Sequence, residues 1–281
     1  MLIGFVLLAT LTVWLIGGAL CSARHRQIGP PPSNFPAENF RVESSSGSKL
    51  SGWLLNAEKS KGVIILMHGV RGCRLGMLER ARFLHTHGYT VLLFDFQAHG
   101  ESSGKKITFG YLESRDACAV VDFARNRFPE QKLSVIGGSL GGAAAILATP
   151  PLKVDAMVLE MVYPTIKQAI SARLKMKLGK AGGLFTPLLT CQLKLRLGFN
   201  ADDLRPIDKV RGITVPKLFM AGDQDQHTPL TEAKELFNAA SEPKEFFEIT
   251  GAEHTDLYAY DREQYEKRVL TFLELRLRTS Q

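Results

Sequence analysis

The sequence has few of the features that stabilise small disulfide-rich or metal-dependent domains. Its 281 residues include only four cysteines, scattered without a CxxC pair or a Cys/His metal spacing (Cys21, Cys73, Cys118, Cys191). Internal repeats are lacking as well. With 45% hydrophobic residues, a chain of this length can bury a stable core without disulfides. We therefore expect one globular domain with a short extension.

Charge is missing from the first part of the chain. Leu2–Cys21 comprises twenty residues without Asp, Glu, Lys or Arg. As a helix rising about 1.5 Å per residue, it would span a hydrocarbon layer of about 30 Å. No basic residue precedes the run, and it is long for a signal peptide, so a single-pass transmembrane anchor is favoured over export through a signal peptide. We therefore predict a membrane localisation, and Arg24 and Arg26 favour a cytoplasmic domain.

Three consecutive prolines follow this apolar run, in GPPPSNFP at residues 29–36. Such a segment is stiff and extended, which is typical of a tether. The sequence therefore divides into a transmembrane anchor with its tether at 1–37 and a globular domain at 38–281.

The globular part alternates between strand-like and helix-like segments. Strands are predicted at 39–44, 49–56, 62–68, 90–96, 132–138, 154–160, 214–222 and 244–249. Helices are predicted at 78–87, 111–127, 140–148 and 230–240, and from about Asp261 onward. Apolar strands that alternate with helices predict an α/β fold, a mostly parallel sheet covered by helices on both faces. The first two strands would form its antiparallel edge.

One segment, 163–212, interrupts this alternation and contains no apolar strand. It holds ten Lys or Arg against three Asp, an excess that equals the net charge of +7 of the whole chain. Within it, ISARLKMKLGK at 170–180 combines basic and apolar residues. That combination fits a helix at an anionic membrane face and an ordinary solvated helix equally well.

The most informative motif is GGSLG at residues 137–141, which follows an apolar strand and opens a helix. This context is typical of the G-x-S-x-G nucleophile elbow, in which a strained turn exposes the serine hydroxyl. Ser139 is therefore the predicted nucleophile, and the N–H of Leu140 at the helix start is a predicted oxyanion donor. A glycine-rich turn without chemistry is the alternative.

A serine hydroxyl needs a nearby base, and that base needs an orienting carboxylate. Only two histidines follow Ser139, and His254, in a loop after the last strand, is the predicted base. His227 is expected to be an ordinary surface or core residue, or to lie at the rim of the site. Asp225 is the predicted acid because the helix that starts at Pro229 closes its loop back toward the sheet. The competing acids are Asp223, to which we assign a turn-capping role, and Glu160.

A second oxyanion donor is predicted from HGVRG at residues 68–72, which follows the first buried strand. The N–H of Val70 is the candidate, and His68 is expected to brace the loop. Cys73 lacks the context of a nucleophile and is expected to be a packing residue. Asp95, at the end of the next strand, is expected to bind nearby backbone.

Together these motifs resemble the α/β-hydrolase superfamily. HGxxG, DxxxHGES, GxSxG, GxxDxxTP and GxxHTD occur in the order that the family shows, from about Glu38 onward. More closely, the chain resembles bacterial membrane-tethered or exported hydrolases of the serine-aminopeptidase-like branch. It is also similar to mammalian membrane-associated members, some of which remove palmitate from proteins. The resemblance implies the α/β-hydrolase fold with a helical lid at about 163–212. Gln97 and Ala98 depart from the family, which more often has Arg-Gly there.

These observations predict a serine hydrolase that cleaves an ester or thioester of a small or acyl-bearing, lipid-like substrate through an acyl-enzyme. No cofactor or metal is implied, and we expect a monomer that binds no nucleic acid. The expected membrane contacts are the N-terminal segment and the basic lid. An aminopeptidase or amidase would use the same triad and stays open. A non-catalytic membrane-tethered binding module is the other alternative, disfavoured because it would not need all three triad residues.

Overall fold

The computed structural model describes residues 2–277, with side chains from Thr10 onward. The strands are β1 (Arg24–His25), β2 (Glu38–Glu43), β3 (Lys49–Leu55), β4 (Val63–Met67), β5 (Thr90–Phe94), β6 (His99–Gly100), β7 (Leu133–Gly138), β8 (Ala156–Glu160), β9 (Lys217–Gly222) and β10 (Lys244–Ile249). The helices are α1 (Leu2–Cys21), α2 (Leu78–Thr86), α3 (Glu113–Arg127), α4 (Leu140–Leu147), α5 (Ile166–Leu178), α6 (Thr186–Leu197), α7 (Pro206–Val210), α8 (Leu230–Ala239), α9 (Leu257–Tyr260) and α10 (Arg262–Leu277).

Eight of these strands form one sheet in the order β10-β9-β8-β7-β4-β5-β3-β2. All neighbours from β10 to β5 run parallel, whereas β3 pairs antiparallel with both β5 and β2. The predicted α/β-hydrolase fold, with its mostly parallel sheet and antiparallel edge, is confirmed. Because the parallel strands all end at the same edge, the loops that follow β4, β7, β9 and β10 meet there.

The helices cover both faces of the sheet, which explains why its central strands are apolar throughout. Val63, Ile65 and Met67 of β4 pack on one side with α3, α4 and α8. Ile64 and Leu66 point to the other side and pack with α2 and α10. Alternate side chains of a strand point to opposite faces, so a strand buried on both faces reads as a continuous apolar run.

The predicted transmembrane anchor, and the membrane localisation drawn from it, are wrong. Within residues 2–277, no helix combines the length and the apolar character that a bilayer crossing requires. Instead, the second half of α1 lies against α6. Gln192 Nε2 donates to the Val13 carbonyl at 3.1 Å, and the Arg196 guanidinium donates to the Trp14 carbonyl and covers the Trp14 ring. Hydropathy counts apolar residues, but it does not register such polar partners from a distant part of the chain.

The segment between α1 and β2, predicted to be a tether, lies along the surface of the domain. β1 pairs parallel with β6, and the Glu101 carboxylate accepts hydrogen bonds from the Ile28 and Gly29 N–H groups, both at 2.9 Å. Phe35 is buried and meets the Trp53 ring edge-on at 6.0 Å between centroids. Residues 24–37 therefore share contacts with the globular part.

The region between β8 and β9 is helical. It contains α5, α6 and α7, with 3-10 turns at Lys180–Phe185 and Ala201–Asp203. Thr165 caps α5 by accepting from the Gln168 N–H, and Val210 of α7 is buried in the core beneath α4. The insertion is therefore anchored at both ends, and α5 and α6 lie between these anchors.

Candidate active site

Ser139 occupies a strained turn between β7 and α4. Its backbone angles are φ 49° and ψ −107°, a region that non-glycine residues rarely adopt and that is costly unless the surroundings enforce it. Two backbone hydrogen bonds enforce it here: the Ser139 N–H donates to the Glu160 carbonyl at 2.7 Å, and the Ser139 carbonyl accepts from the Ala143 N–H at 2.9 Å. The turn therefore holds Ser139 at the carboxyl end of a central strand.

The two glycines of the motif allow this sharp turn. A Cβ at Gly141 would collide with the Met67 carbonyl oxygen of β4. A Cβ at Gly137 would lie 2.6 Å from the Gly142 nitrogen, closer than side chains come to backbone. Helix α4 can approach the sheet this closely only because both positions lack a side chain.

Asp225 and His254 meet at the same edge of the sheet, from the loops after β9 and β10. His254 Nδ1 lies 2.7 Å from Asp225 Oδ2. The other oxygen of this buried carboxylate accepts from the His227 and Thr228 N–H groups at 2.7 and 2.8 Å. A carboxylate held in this way orients the imidazole and leaves its Nε2 available to a substrate or a nucleophile.

The competing residues have other partners. Asp223 accepts from the Gly251 N–H at 2.6 Å and thereby ties the loop after β9 to the loop after β10. Glu160 is buried and bound to Arg80 and Tyr265. His227 stacks on the His254 ring at 4.9 Å, and burial, with help from Arg173, lowers its pKa.

The loop after β4, residues 68–72, lies next to the elbow. A Cβ built on Gly69 would be 3.9 Å from the Ser139 Cβ, so the loop passes close to the elbow at the residue before Val70. Within residues 2–277 the Val70 N–H has no acceptor. It is therefore free to bind an oxyanion. Leu140 is the first residue of α4, where backbone N–H groups lack partners within the helix.

Two neutral histidines hold this loop, one predicted and one missed. His68 Nδ1 lies 2.7 Å from the Gly69 carbonyl, and its Nε2 accepts from the Phe96 N–H. Burial, with a contribution from His99, lowers the pKa of His68 to about 3. His99, which the sequence analysis did not single out, accepts from the Arg71 N–H at 3.1 Å. Its position in the DxxxHGES motif was the available signal.

Asp95 and Cys73 have structural positions, as expected for both. Asp95 is buried, binds the Arg74 guanidinium and accepts from the Arg74 N–H at 2.6 Å. Arg74 also binds Glu101, the residue that holds the N-terminal segment. Cys73 is buried beside these groups at the start of a 3-10 turn.

The structure therefore brings Asp225 and His254 into direct contact and places Ser139 two strands away along the same edge. Among the described residues, no hydrogen bond links Ser139 Oγ to His254. Hydrogen bonds of this kind are often long without substrate and tighten when it binds. Within the same residues no group of three His, Cys, Asp or Glu side chains could hold a metal ion.

A buried charge network behind the site was also missed by the sequence analysis. Arg80 of α2 is 2% exposed, and it binds Glu160 at 2.9 Å and Asp256 at 2.7 Å. Glu160 supplies the carbonyl that holds the Ser139 N–H, and Asp256 lies two residues after His254. One guanidinium thus connects the end of β8 with the segment that carries His254. No local pattern could have predicted the contact, because its partners are 80 and 176 positions away in the chain.

Replacing Arg80 with methionine is expected to lower the free energy of unfolding by about 3–5 kcal/mol, because Glu160 would remain buried without its cationic partner and would keep only the hydrogen bond from Tyr265. Urea unfolding followed by circular dichroism measures this change. Arg262→Met is the matched control: its ion pair with Glu79 is 59% exposed on both sides, so it should cost at most about 1 kcal/mol. A loss for Arg80→Met no larger than the control would contradict the assignment.

Comparison with known proteins identifies the family. Residues 58–209, just over half of the chain, match the family described as serine aminopeptidase, S33. The chain belongs to this family of α/β hydrolases. The match includes Ser139 and most of the insertion, whereas Asp225 and His254 lie beyond it.

Relatives and solved structures extend the similarity over most of the chain. An uncharacterised Bacillus subtilis protein, YqkD, is 26% identical over 84% of this chain and 78% of its own. The α/β-hydrolase domain-containing protein WAV2 of Arabidopsis thaliana is 28% identical over 88% and 82%. The Pyrococcus furiosus esterase Pf2001 superimposes with a TM-score of 0.74 at 23% identity, covering 91% of this S33-family chain and 98% of the esterase. At such identity the structural match shows the fold, and the family shows a hydrolase.

Proposed function

We propose that this hydrolase cleaves carboxylic esters or thioesters, with Ser139 as nucleophile, His254 as general base and Asp225 as the orienting acid. The observation that carries the proposal is the 2.7 Å contact between His254 and a buried Asp225, at the sheet edge where Ser139 sits in its strained turn. The esterase fold of the Pyrococcus furiosus structure supports the same reading.

In the first half of the proposed reaction, His254 Nε2 removes the proton of the Ser139 hydroxyl as Oγ attacks the substrate carbonyl. Asp225 keeps the proton of His254 on Nδ1, so that Nε2 presents its lone pair. The tetrahedral oxyanion accepts hydrogen bonds from the Val70 and Leu140 N–H groups. A donor of this type is worth about 3–4 kcal/mol of transition-state stabilisation.

In the second half, the protonated His254 donates its proton to the departing alcohol or thiol, which leaves an acyl group on Ser139. Water then attacks the acyl carbonyl while His254 accepts its proton. Collapse of the second tetrahedral species releases the carboxylic acid and returns the proton to Ser139. No metal or cofactor takes part in these steps.

The acidic groups near the site favour an ester over the free amino terminus that an aminopeptidase binds. Glu160 is bound to Arg80, and Asp223 is bound to the Gly251 N–H. Burial, reinforced by Glu235, raises the pKa of Glu232 to about 7, so this carboxyl is partly protonated at neutral pH. Glu160 and Asp223 thus already have partners, and Glu232, whose Oε2 has no hydrogen-bond partner among the described residues, carries only part of a negative charge with which to bind an ammonium group.

The proposal predicts that a fluorophosphonate probe labels the protein once, on Ser139. Attack of Oγ on phosphorus expels fluoride and leaves a stable adduct, which peptide mass spectrometry can locate. Hydrolysis of p-nitrophenyl esters, a thioester and an aminoacyl p-nitroanilide would then rank the three substrate classes.

An adduct on another residue, or none at all, would contradict the assignment, and the latter would favour a non-catalytic binding module. Cleavage of the anilide faster than any ester would instead support an aminopeptidase. Ser134 is the internal control, because it lies on the same strand but donates to the Ala156 carbonyl at 2.9 Å within the core.

A further inference from the structure

The exposed apolar side chains of this protein are concentrated in one region. Of the thirteen large hydrophobic side chains that are exposed among the described residues, five lie on α1 and six lie between Met176 and Leu195. We call these six and four neighbouring lysines the lid surface (Met176, Leu178, Leu184, Phe185, Leu188, Leu195, Lys175, Lys177, Lys180, Lys194). We propose that the lid surface adsorbs to an anionic lipid surface.

The exposure is too large for ordinary surface residues. Leu184 is 80% exposed and Leu195 is 76% exposed. The apolar side chains of the lid surface belong to one packed unit. This unit consists of the end of α5, the 3-10 turn that follows it and α6, which contact one another. Several exposed aliphatic residues on one unit mark a site that another apolar phase covers.

The positive charge of the same unit indicates which kind of apolar phase binds the lid surface. Residues 166–200 contain seven Lys or Arg and no Asp or Glu. Within residues 2–277 none of the four lysines of the lid surface forms an ion pair. Exposed apolar side chains flanked by unpaired lysines suit the headgroup region of a bilayer, where aliphatic groups enter the acyl layer and ammonium groups meet lipid phosphates.

A second copy of the chain is a less suitable partner for the lid surface than an anionic lipid surface. A two-fold contact would bring the same lysines of both protomers together, and no acidic residue on the lid surface could neutralise them. An anionic lipid surface supplies the negative charge, and adsorption at headgroup depth needs no segment that crosses the bilayer.

The lid surface also lies close to the proposed chemistry. Arg173, on the same helix as Lys175 and Lys177, lies close enough to His227 and Asp225 for its charge to act on both. Helix α5 therefore carries part of the lid surface at its end and, within one turn of it, a cation near the proposed triad. The position of the lid surface points to acyl-bearing esters, taken from the lipid surface, as substrates. This part of the inference rests on the proposed function.

Vesicle cosedimentation with the full chain tests the binding directly, without any turnover. We expect the protein to sediment with vesicles of phosphatidylcholine containing phosphatidylserine, and to stay in solution with phosphatidylcholine alone. The Lys175→Glu/Lys177→Glu variant should lose at least about tenfold in partitioning, because each basic residue contributes to binding at a charged leaflet. Raising the salt concentration should weaken binding of the wild type.

Two further variants control the measurement. Leu184→Ser/Phe185→Ser removes apolar contact without changing charge and should also bind at least about tenfold more weakly. Lys59→Glu/Lys61→Glu makes the same charge change at the amino end of β4, the opposite edge of the sheet, and should bind within about twofold of wild type.

Equal binding to both kinds of vesicle would overturn the proposal. So would an equal loss of vesicle binding in Lys175→Glu/Lys177→Glu and in Lys59→Glu/Lys61→Glu. So would a dimer in the absence of lipid that Leu184→Ser/Phe185→Ser dissociates, because a second copy would then be the occupant. Failure of vesicle binding together with a normal Ser139 adduct would reject the lid surface alone. Binding without an adduct would reject only the proposed function.

Discussion

Ser139→Ala is expected to lower kcat on a p-nitrophenyl ester by on the order of 10⁶-fold, leaving only the contribution of substrate binding and the oxyanion donors. The reason is that alanine has no atom that can form the acyl-enzyme. KM should change little, since the hydroxyl makes no hydrogen bond to the described residues that would reorganise the site. Initial rates of highly purified protein, together with loss of the fluorophosphonate adduct, measure the effect.

Ser134→Ala is the matched control, on the same strand and also buried. It removes the hydrogen bond to the Ala156 carbonyl and should cost about 1 kcal/mol of stability, with kcat within a few-fold of wild type. If Ser139→Ala kept more than a hundredth of the activity, another residue would have to be the nucleophile.

Asp225→Asn is expected to lower kcat by about 10⁴-fold while the fold stays intact. The amide oxygen of asparagine can still accept from the His227 and Thr228 N–H groups. Its amide nitrogen would then face His254 Nδ1 as a donor, which forces the histidine proton onto Nε2 and removes the lone pair that should accept the serine proton. Steady-state kinetics and a thermal melt distinguish this loss from unfolding.

Asp223→Asn tests whether Asp225 or Asp223 is the carboxylate that orients His254. Asp223 accepts only from the Gly251 N–H among its described neighbours, a role that asparagine can keep, so kcat should fall less than about tenfold. A larger loss for Asp223→Asn than for Asp225→Asn would reverse the assignment of the orienting acid.

Much of the fold of this protein can be predicted from short stretches of its sequence. The run VIILM of β4 is apolar throughout because both faces are buried, and the same kind of pattern placed all eight strands of the main sheet within three residues of their observed ends. The elbow is equally local, because a strand, a tight turn and a helix must follow one another within residues 133–147.

The apolar N-terminal run shows where such patterning fails. The sequence predicted an anchor from length and lack of charge, but Gln192 and Arg196 of α6 bind carbonyl oxygens of α1. These contacts depend on how α6 is placed by the rest of the domain. Composition within the run itself holds no information about them.

The sequence by itself determined the eight strands of the main sheet, the helices that connect them outside the insertion, the strained turn at Ser139 and the basic character of the lid. Each of these depends on neighbours a few positions apart. The sequence favoured Asp225 over Asp223, but only the tertiary structure shows Asp225 in contact with His254 and Arg80 joining Glu160 to Asp256. Those contacts depend on how segments that are distant in the chain pack together: the parallel pairing of β8, β9 and β10 aligns the ends of these strands, and the packing of α2 places Arg80 behind them.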